Sequence, residues 1–292
     1  MFAKANALAR QFTFPIVVSF RQWNGHVDAS VGAFIVLNAD GWLVTAAHVF
    51  QIGSKAGSDA PKVAALTAQI AAVQADPNLM AGRKATEIQR LERTADPEWI
   101  TNHSYWCGRD GVNLREVRMV VEADTAVARL DGVPADMIAS LPMLKNPATE
   151  LSPGRSLCRL GYAFPKVQTA FDASKNAFHV QGEMPLFPLE GMFTRIVDAG
   201  RTPDQKVAIR FIETSSPGLR GQSGGPLFDV QGRVWGIQSR TQHLPLGFNP
   251  EAEISGRKTQ VPQFINLGLA VHVGTLIEIL DGMGVEYEVS PD

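Results

Sequence analysis

"LRGQSGGPLFD", residues 219–229, is the stretch on which the reading of this chain turns. Gly221, Gly224, Gly225 and Pro226 crowd around Ser223, a density that lets the backbone take positive φ and lets another molecule approach the main chain closely. Two readings stand open. The stretch is a tight turn opening the strand "PLFDV", or it presents Ser223 as a nucleophile. A serine hydroxyl is a weak nucleophile at neutral pH, so the second reading requires a base and a group that orients the base.

Composition narrows the setting. The 292 residues leave room for one large or two small domains, and 45% apolar with 19% charged residues is the balance of an ordinary globular protein. A net charge of −2 and the lack of a Lys/Arg-rich run argue against nucleic acid and against an anionic membrane surface as partners. The apolar run Phe12–Phe20 is short, is interrupted by Pro15 and precedes no small-residue cleavage site, so it reads as a first strand rather than a signal peptide. No stretch approaches the ~20 apolar residues of a membrane span. Two cysteines, Cys107 and Cys158, make no disulfide framework. Together these features point to a cytoplasmic chain, although an exported chain trimmed of its leader would look the same.

Strand signals dominate, as short β-branched or aromatic runs bounded by Gly, Pro, Asn or Asp. "PIVVSFRQ", "SVGAFIVLN", "GWLVTAAHV", "REVRMVVEA" and "TAVARLD" occupy the first half. After the connector "NPATELSPG" (146–154) a second set runs from "RSLCRLGYA" to "INLGLAVHV". The pattern predicts a mainly all-β fold of two antiparallel barrels with about six strands each. Residues 1–145 would form the first and 146–292 the second. One region breaks the β pattern: Val63, Leu66, Ile70 and Val73 recur at helical spacing, and a second run carries Ile88 and Leu91. These predict a helical hairpin inserted at about 56–96. "VGTLIEILDGMG" predicts a C-terminal helix at about 272–283 with Gly284 past its end.

Candidates for the base and its orienter follow from the strand edges. His48 ends "GWLVTAAHV", beside small alanines that leave room for its ring to project into a cleft. Asp124 opens the apolar strand "DTAVARL", where burying a carboxylate is unfavourable unless its charge is used. Taken singly, His48 reads first as a structural histidine, and Asp124 reads equally as a turn acid or strand cap. His103 and Cys107 form an H-x-x-x-C pair without a second ligand pair, so no metal site is predicted.

Taken together, the order His48, Asp124, Ser223, with the connector between the second and third, resembles the trypsin/chymotrypsin superfamily of serine peptidases. "TAAHV" is similar to its histidine motif, "DTAVARL" to its aspartate motif and "GQSGGPL" to its nucleophile motif. "IETSSPGLRGQSGGPLFDVQGRVWGI" resembles the nucleophile segment of the bacterial high-temperature-requirement (Deg) branch, and the likeness covers about residues 14–50 and 116–283. The resemblance implies a chymotrypsin-like double barrel with the active site between the barrels. It implies that His48 acts as general base and then acid, that Asp124 orients it, and that Ser223 forms the acyl-enzyme. The backbone N–H groups of Gly221 and Ser223 would form the oxyanion hole, and the Ser239 hydroxyl would support Asp124. Pro217 and Gly218 would lie near the floor of the primary specificity pocket, with Arg240 and Thr241 also binding substrate. No cofactor and no metal are implied.

Several features depart from the family pattern. Gln222 replaces the aspartate that precedes the nucleophile in secreted trypsins, which makes activation by an inserted new N-terminus an unsuitable mechanism and loop ordering the expected control. The chain ends soon after its last helix, giving the expectation of a catalytic unit without a PDZ domain. Pro217 at the pocket floor gives no support for a basic preference, and small or medium uncharged residues are expected there. Glu251 and Glu253 could reach that pocket from the side, and Arg240 could instead favour an acidic group or, more commonly, simply be solvated. The expected activity is limited proteolysis of a protein substrate, and the helical insertion reads first as a surface addition and otherwise as a docking place for an activating or recognition partner. The alternative is a latent or non-catalytic binding module of the same fold.

Overall fold

The computed structural model describes residues 1–254 and 257–292. A short helix, α1 (Ala3–Ala9), leads into β1 (Thr13–Gln22), β2 (Val27–Val36) and β3 (Trp42–Thr45). The chain then leaves the sheet as α2 (Gln51–Ala75) and α3 (Ala81–Glu92), and returns as β4 (Ile100–Cys107), β5 (Asn113–Val120) and β6 (Thr125–Asp131). These six strands form one antiparallel sheet in the order β4-β1-β2-β3-β6-β5. The period-2 pattern of the strands sets its register. Ile16, Val18, Phe34, Val36, Leu43, Ala126 and Ala128 all point into one apolar cluster.

The second half contributes β7 (Met143–Leu144), β8 (Ser156–Gly161), β9 (Lys166–Asp172), β10 (Ala177–Glu183), β11 (Phe187–Arg201) and β12 (Ala208–Thr214). Next come β13 (Pro226–Phe228), β14 (Val234–Pro245), β15 (Glu251–Ile254), β16 (Arg257–Gln260) and β17 (Phe264–His272). α4 (Val273–Met283) and β18 (Glu288–Val289) follow. The larger sheet runs β13-β8-β11-β12-β17-β14-β7-β18, and a further β13–β14 pairing closes it on itself. β9–β10 and β15–β16 form separate hairpins. The two curled sheets make the chymotrypsin-like double barrel. A shared core joins them, with Ile35, Val44 and Val127 from the first sheet packed among Leu160, Phe228, Ile237 and Val271 of the second.

The inserted hairpin and β4 differ from the sequence expectation, while the last helix falls where its spacing put it. The inserted hairpin begins at Gln51, not near 56, so α2 starts directly after the turn that carries His48. Gly53, Gly57 and Pro61 disguise this first stretch, since all three have poor helix propensity. Packing overrides it: Ala56, Asp59 and Leu66 are buried, and Asp59 accepts bonds from the Ile100 N–H of β4 and from Lys55. β4 itself, "ITNHSYWC", lacks a clear strand alternation yet pairs with β1 along most of its length. The last helix starts at Val273 with His272 as its N-cap and ends at Gly284, whose φ is +67°. Among the described residues no helix is long and apolar enough to cross a membrane. Cys107 in β4 and Cys158 in β8 are both buried as free thiols.

Candidate active site

His48 sits in a 3-10 turn, Ala47–Phe50, which leaves β3 and holds the imidazole at the lip of a cleft between the two sheets, 35% exposed. The turn is clamped to Asp124. The Ala47 N–H donates to the Asp124 carbonyl at 3.1 Å, and the His48 N–H donates to Asp124 Oδ1 at 3.0 Å. His48 Nδ1 lies 3.0 Å from each carboxylate oxygen, which fixes the ring plane and leaves Nε2 free to face the cleft. Asp124 adopts a left-handed conformation, φ 47°, one that aspartate tolerates better than most side chains. Its third partner is Ser239, whose hydroxyl donates to Oδ2 at 2.5 Å. Burial pushes the Asp124 carboxyl up, but the hydrogen bonds from His48 and Ser239 and the charge of His48 outweigh it. The net effect holds the group below the usual carboxylate range.

Ser223 is presented by a loop that threads between the sheets. Its carbonyl accepts from the Ala33 N–H of β2 at 2.8 Å, while Gly224 N–H donates to the Gln238 carbonyl at 2.7 Å. Gly224 has φ +83°, and a Cβ there would lie 2.1 Å from Thr45 Oγ1, so only glycine lets the loop press against β3. Gly221 has φ +90°, and a Cβ would lie 2.1 Å from the Tyr162 carbonyl. Among the described residues, the N–H groups of Gly221 and Ser223 have no protein acceptor, although their neighbours at 222, 224 and 225 all have one. Two donors on one loop, two positions apart and one of them on the serine itself, are thus left without a protein partner. Ser223 Oγ and His48 share no hydrogen bond among the described residues, although both line the same cleft.

Pro217, Gly218, Arg240 and Thr241 all line that cleft, as does Ser239. Thr241 Oγ1 donates to the Gly218 carbonyl at 2.6 Å, tying the two walls together. Glu251 and Glu253 are not among the lining residues. Glu251 instead lies 3.8 Å from Lys258 across its own hairpin. Gln222 is fully buried: its amide donates to the Phe187 carbonyl and accepts from the Leu219 N–H, both at 3.0 Å. A neutral bridge thus holds the loop where a secreted trypsin uses an ion pair.

Sequence reasoning missed two residues at this site. Gln238, buried, donates through Nε2 to the carbonyls of Arg240 and Leu269 at 3.2 Å each, and its Oε1 has no partner. Arg159, in β8, is buried against the Ser216 and Pro217 carbonyls. Its signal was a charged residue inside "RSLCRLGYA", a strand buried over most of its length.

The sequence matches the trypsin-like peptidase domain over residues 32–237. The chain belongs to that family, and it is a serine protease, a hydrolase. A search of curated proteins gave no match. Among solved structures it is similar to the Rv3671c protease of M. tuberculosis. The active form is 13% identical, covers 98% of this chain and 86% of that one, and gives a TM-score of 0.48. An inactive form is 15% identical, covers 97% and 94%, and gives 0.43.

Proposed function

We propose that the chain is an endopeptidase that cleaves a protein substrate at restricted sites through His48, Asp124 and Ser223. The observation that carries this reading is the single carboxylate of Asp124 holding the His48 ring by Nδ1 while Ser239 holds the carboxylate. In the first step His48 Nε2 takes the Ser223 proton as Oγ attacks the substrate carbonyl. The oxyanion forms opposite the Gly221 and Ser223 N–H groups, each worth about 3–4 kcal/mol in such a site. His48 then protonates the leaving amine, and water, deprotonated by the same ring, releases the acyl group and restores Ser223. No cofactor enters the cycle. An intracellular setting and a partner docking on the α2–α3 hairpin extend the proposal.

A second reading, a latent enzyme that a partner switches on, is favoured by one observation: Ser223 Oγ and His48 are not hydrogen-bonded. Catalytic hydrogen bonds often tighten only when substrate binds, so the two readings need a measurement. Labelling with a fluorophosphonate probe supplies it. Wild type is expected to label, and Ser223→Ala is expected not to. Folded wild-type protein that fails to label would favour the latent enzyme and would move the search to an activator.

A further inference from the structure

The floor of the specificity pocket rests on a buried cation. Arg159 is 0% exposed, and its Nη1 donates to the Ser216 carbonyl at 2.7 Å, to Ser216 Oγ at 3.2 Å and to the Pro217 carbonyl. Nη2 donates to Thr214 Oγ1, and Nε–H has no partner. All of these partners are neutral. A buried guanidinium normally sits against a carboxylate, because an isolated charge is unfavourable in a low-dielectric interior. Here none is at hand among the described residues. Glu213 is adjacent in sequence to Thr214, but the strand alternation turns it to the opposite face, where it binds Arg195 at 2.9 and 3.0 Å. Asp124 is taken by His48 and Ser239, and Asp229 by Trp235 and its own turn. Burial pulls the Arg159 guanidinium down to about 10, which leaves it a cation at neutral pH.

The geometry puts this charge at the pocket. The guanidinium grips the carbonyls of Ser216 and Pro217, and Pro217 and Gly218 line the cleft. A Cβ at Gly268 would stand 2.6 Å from Nη2, so the cation fills space that only glycine leaves open. Arg220 and Arg240 line the cleft as well, and among the described residues its one carboxylate, Asp124, is already paired. The cleft therefore carries two arginines on its walls and is backed at Pro217 by a positive charge without a carboxylate partner.

Building on the peptidase reading, we propose that this pocket selects an acidic side chain, of the glutamate class, on the acyl side of the scissile bond, and that Arg159 sets that selection. The uncharged preference expected from Pro217 gives way because the deciding charge comes from a strand almost sixty residues earlier.

Two peptides, identical except for Glu or Gln at that position, test the proposal. Both are offered to the wild type for cleavage and to the Ser223→Ala chain for calorimetric binding. The Glu peptide is expected to be handled about tenfold better than the Gln peptide or more. Arg159→Met is expected to bring the ratio near one, whereas Arg159→Lys, which keeps the charge, retains the preference. Equal handling of Glu and Gln by the unaltered pocket, no binding of either, or an unchanged ratio in Arg159→Met overturns the proposal. Fluorophosphonate labelling needs no acidic side chain, so its failure would favour the latent enzyme over the active peptidase, while the Glu/Gln ratio judges the pocket separately.

Discussion

Asp124 holds the backbone of the His48 turn, the imidazole ring and the Ser239 hydroxyl with one carboxylate. Its charge is retained because three donors converge on it, and this outweighs the penalty of burial. Since the folded-state value lies below that of the unfolded chain, the stabilisation is present above the unfolded carboxylate range and fades as pH falls through the folded value. Asp124→Asn keeps the shape but allows the amide to donate to Nδ1, which selects the wrong tautomer. Turnover of the folded protein is expected to fall by about 10⁴-fold, as kinetics on one preparation would check. The approach of His48 to Asp124, and the place of Ser223 on the same cleft, were legible only as a set, through the likeness of "TAAHV", "DTAVARL" and "GQSGGPL" to known peptidase motifs. Arg159 and Gln238 were not, because what matters about them is what lies opposite. Ser216, Pro217 and Gly268 meet Arg159 only once four strands have closed around it.

Among the elements, α4 shows how a terminus can carry a titration. His272 caps it, with Nδ1 accepting the Gly274 N–H at 3.0 Å, a role open only to the neutral ring. Burial, aided by the charge of Arg210, pulls this histidine down to about 4. The unfolded chain takes up its proton near pH 6.5 and the folded chain only near 4, so stability falls as pH drops through that interval. The loss is on the order of 3 kcal/mol. His272→Asn retains an acceptor without a titrating ring, and is expected to flatten this part of a stability-against-pH curve measured by denaturant unfolding. An unchanged slope would assign the loss elsewhere. The helix was legible from its spacing and from Gly284. The early start of α2 was hidden because its glycines and proline argue for a loop, and only contact with β4 reverses that.

Across the molecule, the two sheets meet where the chemistry is proposed to occur. Ser223 is bonded to β2 through Ala33, and the Tyr162 hydroxyl crosses to the Thr13 carbonyl at 2.9 Å. The likeness of the whole chain to a double barrel could be read from strand spacing and the connector. The closing pairs, β13 with β14 and β7 with β14, join segments whose sequences give no sign of one another. The two cysteines now acquire a use. Each sheet holds one, and burial pushes Cys107 up to about 12 and Cys158 up to about 11, so neither thiol reacts while its strand stays in place. The molecule thus carries a natural pair of opening reporters, one in each half. β4 is paired on one side and β8 on both, so alkylation followed by mass spectrometry is expected to mark Cys107 first. Marking of Cys158 first would reverse the order in which the halves loosen. Following the two adducts as substrate peptide is added would show whether occupancy of the cleft slows the breathing of one barrel or of both.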